Sequence, residues 1–160
     1  MPENSPAVGT AAPKFKLPGA SGKTFDMADY FGKSPVVIYF YPKADTPGCT
    51  KEACGFRDAI AGYKKLGVPV FGISPDPVKD VKAFSDKFDL NFELLADEDH
   101  AVCDQYGVWG EKQMMGKSYM GAHRTTFIVG KDGKVAHVFE KVKPEGHDVE
   151  VLEWLKASAK

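Results

Sequence analysis

The sequence predicts an α/β fold, a central mixed β-sheet flanked by helices, and three patterns carry that prediction. Val36-Val37-Ile38-Tyr39-Phe40-Tyr41 is an unbroken apolar, β-rich run that ends at Pro42. A run without alternation reads as a strand covered on both faces, as in the middle of a parallel sheet. Val68 to Ile73 is a second such run, and between the two Ala53, Phe56, Ile60 and Tyr63 recur at three- and four-residue spacing. That spacing lines one face of a helix, so the stretch is a strand–helix–strand unit, right-handed by the chirality of its crossover. Finally, Thr125–Val129 and Val135–Phe139 flank Lys131-Asp132-Gly133-Lys134, an antiparallel hairpin signal.

Taken along the chain, residues 1–12 read as a loose arm. Residues 14–30 hold a short apolar alternation at Phe15 and Leu17, a Gly-Ala-Ser-Gly turn and Thr24-Phe25, which suggests a small hairpin. The strand at 36–41 follows, then the helix, stopped near Gly67, then the strand at 68–73. Helices are expected from about Val78 to Phe88 and around Asp99 to Tyr106. After the hairpin, Val149, Leu152 and Leu155 give a terminal helix its apolar face. A strand–helix–strand half, then a hairpin, then a terminal helix fits a thioredoxin-like sandwich with additions at the N-terminus and in the middle. One domain over residues 1–160 is the expectation for a chain of this length.

Composition narrows the function. The chain has 21 basic and 22 acidic residues, a balance that argues against a dedicated nucleic-acid surface or a polybasic membrane surface. The polar start, Met1-Pro2-Glu3-Asn4-Ser5-Pro6, lacks the apolar stretch of a secretory signal, so a cytoplasmic location is expected. No long exposed apolar stripe demands a partner copy, and a monomer is expected. The three cysteines, Cys49, Cys54 and Cys103, make a poor disulfide framework, which leaves catalysis, metal binding or core packing.

The chemistry concentrates in Tyr41-Pro42-Lys43-Ala44-Asp45-Thr46-Pro47-Gly48-Cys49-Thr50-Lys51-Glu52-Ala53-Cys54, between the first core strand and its helix. Ligands in open α/β folds bind beyond the carboxyl ends of strands. Thr46 suits an N-cap and Pro47 the first helical position, which puts Cys49 in the first turn. Free N–H groups and the positive end of the helix dipole favour a thiolate there. The dipole supplies only about 0.3–2 kcal/mol, so a cation must complete the site. Ionisation alone gains about thirty-fold in thiolate, so a fast nucleophilic reaction also needs donors placed where charge develops in the transition state. Glu52 is placed to close a capping interaction at the helix start, or to orient an arginine.

Pro42-x-x-x-Thr46-x-x-Cys49 resembles the active-site pattern of the peroxiredoxins. The longer strings Phe40-Tyr41-Pro42-Lys43-Ala44 and Thr46-Pro47-Gly48-Cys49-Thr50, with Cys54 five residues on, are similar to the bacterioferritin comigratory protein (peroxiredoxin Q) subfamily. The likeness continues through Leu95-Ala96-Asp97-Glu98-Asp99-His100, Gly107-Val108-Trp109-Gly110-Glu111-Lys112 and His123-Arg124. The resemblance implies a thiol-dependent peroxidase acting on hydrogen peroxide and organic hydroperoxides. Cys49 would be the peroxidatic cysteine, Pro42 its shield from water, and Thr46 a hydrogen-bonding partner of the peroxide. Arg124 would be the missing cation and Cys54 the resolving cysteine. Thioredoxin or a similar dithiol protein would be the reductant, and no metal or organic cofactor is implied.

Residues five apart on an intact helix have Cα atoms roughly 8.6 Å apart, whereas a disulfide needs about 4.4–6.8 Å. A Cys49–Cys54 bridge therefore requires the first turns to unwind, which Gly48 and Gly55 ease. Some relatives place the resolving cysteine in the next helix, but residues 77–89 contain none here, so Cys103 is the other candidate. Taken alone, Cys103 reads as core, and Trp109, Met114, Met115, Tyr119 and Met120 read as core and loop packing, or else as an apolar wall beside the site. Two rival functions stay open. One is a zinc site built from Cys49, Cys54, His100 and Cys103; the other is a thiol–disulfide reductase, for which the Cys-x-x-Cys spacing is missing.

Overall fold

A computed structural model describes residues 6–114 and 116–158. Five strands form the central sheet: β3 (Val36–Phe40), β4 (Val70–Ser74), β5 (Glu93–Ala96), β8 (Thr125–Val129) and β9 (Val135–Phe139). They lie in the order β5-β4-β3-β8-β9, with β3, β4 and β5 parallel and β8 antiparallel to both of its neighbours. The unbroken apolar run is thus the middle strand, and every residue of β3 is buried. The sheet is mixed, with α1 (Pro47–Lys65), α2 (Val78–Lys87) and α4 (His147–Ser158) on one face. Val37, Tyr39 and Tyr41 point to that face, where they meet Cys49, Ala53 and Phe56. Val36, Ile38 and Phe40 point to the other, against Phe127 and Tyr106, which follows the short α3 (Ala101–Gln105).

Helix α1 carries the site, and its end is set by local chemistry. Gly67 takes φ of +71°, and Val68 N–H and Gly67 N–H donate to the carbonyls of Tyr63 and Lys64 at 3.0 Å each. Those two bonds satisfy the last carbonyls of the helix, the stop expected from a glycine at that place. Its apolar face is the expected one, with Ala53, Phe56, Ile60 and Tyr63 all buried.

The N-terminal hairpin forms as β1 (Lys16–Pro18) and β2 (Thr24–Asp26). Residues 9–12 are not a loose arm. Gly9 N–H donates to Val135 O at 2.8 Å, Val135 N–H to Thr10 O at 2.9 Å and Ala12 N–H to Gly133 O at 3.0 Å, so this segment is tied to the β8–β9 hairpin. The rest of the expected arm, residues 1–5, lies outside the described residues. In α4, Val151 and Leu155 are buried and Leu152 half-buried, while Val149 is exposed, so the apolar stripe is rotated from the expected one. The middle addition is a two-stranded arm, β6 (Trp109–Met114) and β7 (Lys117–Ala122). Tyr119 and Met120 are exposed on it rather than packed in the core; Met115 lies outside the described residues. Trp109 is half-buried and stacks on His100 at 3.9 Å. Among the described residues no helix is long and apolar enough to cross a membrane.

Candidate active site

Cys49 sits in the first turn of α1 and is 1% exposed. Pro47 occupies the start of the helix, where its missing N–H costs nothing. Thr46 is the N-cap by backbone conformation, but its side chain makes no capping bond; its hydroxyl donates instead to Lys43 O at 2.9 Å. The loop before it is pinned from two sides. Ala44 N–H donates to the Asp76 carboxylate at 2.8 Å, and Lys87 reaches Asp45 at 2.9 Å, with Asp45 in the left-handed region at φ +59°. Pro42, half-buried, opens this loop where β3 ends.

Arg124 comes from 75 residues away and reaches the sulfur. Its Nη2 donates to Cys49 Sγ at 3.4 Å, while Nη1 donates to Glu52 Oε1 at 2.8 Å. Cys49 and Glu52 are three residues apart on α1, so they share a helix face, and one planar guanidinium spans both. Arg124 stands just before β8, whose pairing with β3 (Phe40 opposite Thr125) fixes it beside the helix start. Gly48 allows the approach: a Cβ there would lie 3.2 Å from Arg124 Nη2 and 3.4 Å from Pro144 Cγ.

The charges are partly out of water. Burial works against the Arg124 charge, but Glu52 and Cys49 beside it more than compensate and raise its proton affinity. Glu52 is 1% exposed, and burial pushes its carboxyl up to about 7 even with Arg124 next to it. Glu52 thus orients Arg124 rather than capping the helix. Lys112, to which the sequence reading gave no role, lies near the same charges. Its ammonium donates to Ala122 O at 3.0 Å, and burial together with Arg124 lowers its proton affinity, while Cys49 opposes that shift. A lysine on an exposed-looking strand carries no sequence signal for this placement; only the folding back of β6 and β7 creates it.

The other two cysteines are not at this point. Cys54 is half-buried one turn further along α1, and all three thiols are free. Cys103 is fully buried on α3, where burial and then the nearby Asp97 push its thiol far up. Asp97 accepts from Val102 N–H and Cys103 N–H at 3.1 and 2.8 Å, so the carboxylate serves the helix start. The zinc reading finds no support in the geometry: among the described residues no three or more His, Cys, Asp or Glu side chains are grouped to hold a metal ion. His100 instead stacks on Trp109 and pairs with Asp104.

Residues 8–138 match the model of the AhpC/TSA family. The chain belongs to the AhpC/TSA family. Within it the relatives are peroxiredoxins of the Bcp and PrxQ group, thiol-dependent peroxidases. Peroxiredoxin Bcp of Escherichia coli strain K12 is 52% identical over 151 residues, which cover 94% of this chain and 96% of that one. A Xanthomonas campestris bacterioferritin comigratory protein, studied for its alkyl peroxide reduction activity, is 36% identical, covers 96% of this chain and 100% of its own, and superposes with a TM-score of 0.87. Xylella fastidiosa PrxQ, solved as a cysteine-to-serine mutant, is 30% identical with a TM-score of 0.90 over 97% of this chain and 98% of that one. These solved relatives bear out the expected thioredoxin-like architecture.

Proposed function

We propose that this chain reduces hydroperoxides through Cys49 and resolves the product with Cys54. The observation that carries the reading is the Arg124 fork, one nitrogen on Cys49 Sγ and the other on the buried Glu52. A cation 3.4 Å from the sulfur, added to the helix N-terminus, favours negative charge on it. The thiolate attacks the near oxygen of the peroxide, the O–O bond breaks, and the far oxygen leaves as hydroxide or alkoxide and takes a proton from solvent. The same guanidinium faces that developing charge, which is where a fixed donor lowers a barrier most. Thr46, donating its own proton to Lys43 O, leaves its oxygen to accept a hydrogen bond from the peroxide hydroxyl. Pro42, half-buried where β3 ends, limits the access of water to the sulfur.

Cys49 is left as a sulfenic acid. The Cys54 thiolate attacks its sulfur, hydroxide leaves and is protonated to water, and a Cys49–Cys54 disulfide forms. A dithiol protein such as thioredoxin then reduces it by exchange. The alkyl peroxide activity of the Xanthomonas relative supports extending the substrate class from hydrogen peroxide to organic hydroperoxides. The test is a peptide map. Reduced protein given one equivalent of hydrogen peroxide should yield a Cys49–Cys54 crosslinked peptide, and Cys54→Ser should yield a trappable sulfenic acid on Cys49. A sulfenic acid on another cysteine, or none at all, would overturn the assignment.

A further inference from the structure

Helix α1 is held unevenly along its length, and the boundary falls directly after Cys54. Beyond that point four contacts grip it. A Cβ on Gly55 would lie 2.5 Å from Asp148 Oδ1, so α4 presses against the bare backbone there. The Tyr63 hydroxyl donates to Asp148 O at 2.6 Å. Arg57 Nη1 donates to Phe88 O at 2.7 Å, and Asn91 Nδ2 donates back to Arg57 O at 3.1 Å, which ties the helix to the segment between α2 and β5. Before that point the grip is of another kind. Thr46 provides no side-chain cap, and the Lys51–Glu145 pair is exposed and 3.8 Å long. The buried side-chain contacts of the first two turns that reach a charged group run to Arg124, from Cys49 and Glu52. Oxidation of Cys49 to a sulfenic acid changes one of the two contacts that hold Arg124 there.

We infer that Arg57 is a positioning residue for disulfide formation: it pins α1 one turn after Cys54, so that unwinding stops there and Cys54 stays in place to receive Cys49. This rests on the reading that Cys54 resolves the sulfenic acid. Unwinding must shorten a Cα separation of roughly 8.6 Å to within about 6.8 Å, which requires one end of the segment to stay fixed while the other moves. The start of the segment is also anchored, through Ala44 to Asp76 and Asp45 to Lys87. The moving part is therefore bounded to the residues between Thr46 and Gly55. Arg57 also places a cation beside the resolving thiol. Its charge is favoured first by the hydrogen bond to Asp58 at 3.0 Å, and then by Cys54 and Asp89. Released from this clamp, the unwinding would spread into the next turn and Cys54 would lose its fixed position.

The experiment separates two steps in a single turnover. Reduced wild type, Arg57→Ala, Arg57→Lys, Asn91→Ala and Cys54→Ser each receive one equivalent of hydrogen peroxide. Mass spectrometry then follows the trapped Cys49 sulfenic acid and the Cys49–Cys54 disulfide with time. The oxidation step should stay within about twofold of wild type in the Arg57 and Asn91 variants, because neither residue contacts Cys49. Disulfide formation should slow roughly tenfold in Arg57→Ala, the loss of one charge-assisted hydrogen bond. Sulfinic acid on Cys49 should then appear at peroxide doses that spare wild type. Arg57→Lys should recover part of the rate through a single bond to Phe88 O, and Asn91→Ala should slow the same step with the guanidinium intact. Wild-type disulfide rates in both Arg57→Ala and Asn91→Ala, or equal slowing of both steps, would overturn the role of Arg57 alone. Absence of the Cys49–Cys54 disulfide in wild type would overturn the resolving assignment and the inference with it. If Arg57→Ala does not fold, Arg57→Lys and Asn91→Ala decide the matter.

Discussion

Replacing Arg124 tests the site through two linked quantities, rate and pH-dependent stability. Lysine keeps the charge but has one nitrogen, so it cannot serve Cys49 Sγ and Glu52 Oε1 together as the guanidinium does at 3.4 and 2.8 Å. Losing one hydrogen bond to a charged group costs about 1.5–3 kcal/mol, so Arg124→Lys should slow Cys49 oxidation by roughly 10- to 150-fold. Methionine removes the charge and leaves Glu52 buried without a cation. Glu52 is a carboxyl whose folded-state proton affinity is raised, from an ordinary 4.5 to about 7. The stability it contributes is therefore full below about 4.5 and is lost as pH rises through about 7. At pH 6 the carboxyl holds its proton in wild type and in Arg124→Met alike. At pH 8 wild type has released that proton into the ion pair, whereas the variant must still hold it. One pH unit beyond the wild-type midpoint corresponds to about 1.4 kcal/mol, so Arg124→Met should lose about that much more stability at pH 8 than at pH 6. Rapid-mix peroxide consumption reads the first effect and urea unfolding at the two pH values reads the second. An Arg124→Lys rate within about threefold of wild type would refute the fork argument. So would equal destabilisation of Arg124→Met at both pH values.

Further outcomes follow from the same structure. Glu52→Gln removes the titration, so its unfolding free energy should gain on wild type between pH 5 and 8, by up to about 3 kcal/mol, while its peroxide rate falls as Arg124 loses its anchor; a pH-independent difference in urea unfolding would contradict the burial account. Cys54→Ser should oxidise at Cys49 as fast as wild type but stop at the sulfenic acid, so that repeated peroxide doses drive it to sulfinic acid, a shift of mass visible in the intact protein. Gly72→Ala would put a Cβ 2.7 Å from Tyr39 Cζ and 2.8 Å from Leu94 Cδ2, both in packed core, and should cost about 1–3 kcal/mol in urea unfolding; a neutral result would mean that the Tyr39 ring has room to move.

Much of this molecule is readable from its sequence, and the exceptions share a physical cause. The middle strand, the site helix and the hairpin were legible because burial imposes periodicity on them. Ala53, Phe56, Ile60 and Tyr63 all face the core that their spacing requires. Strand β5 was missed because Glu93-Leu94-Leu95-Ala96 is short and has no β-branched residue. The arm of β6 and β7 was missed because it stands largely in solvent, with Glu111, Gln113, Ser118 and Tyr119 exposed along it and no apolar alternation to announce it. Residues 9–12 pair with the hairpin through backbone hydrogen bonds, a contact that side-chain patterns do not report.

At the site, Cys49 was legible from its place at the helix start, because the dipole and the free N–H groups are local properties of sequence. Arg124 was not legible on those terms. It lies 75 residues away, and only its resemblance to a family motif singled it out before the sheet register placed it. The split in the anchoring of α1 likewise depends on Asp148 in α4 and on Phe88 and Asn91 between α2 and β5, two segments remote from α1 in the sequence.

The most direct test of the account is peroxide consumption at fixed dithiothreitol, wild type beside Cys49→Ser, with the folding of both checked by urea unfolding. If Cys49 is the nucleophile, wild type consumes peroxide steadily and a folded Cys49→Ser protein consumes none above the reagent background. Equal consumption by the two, or none by a fully reduced wild type, would contradict it.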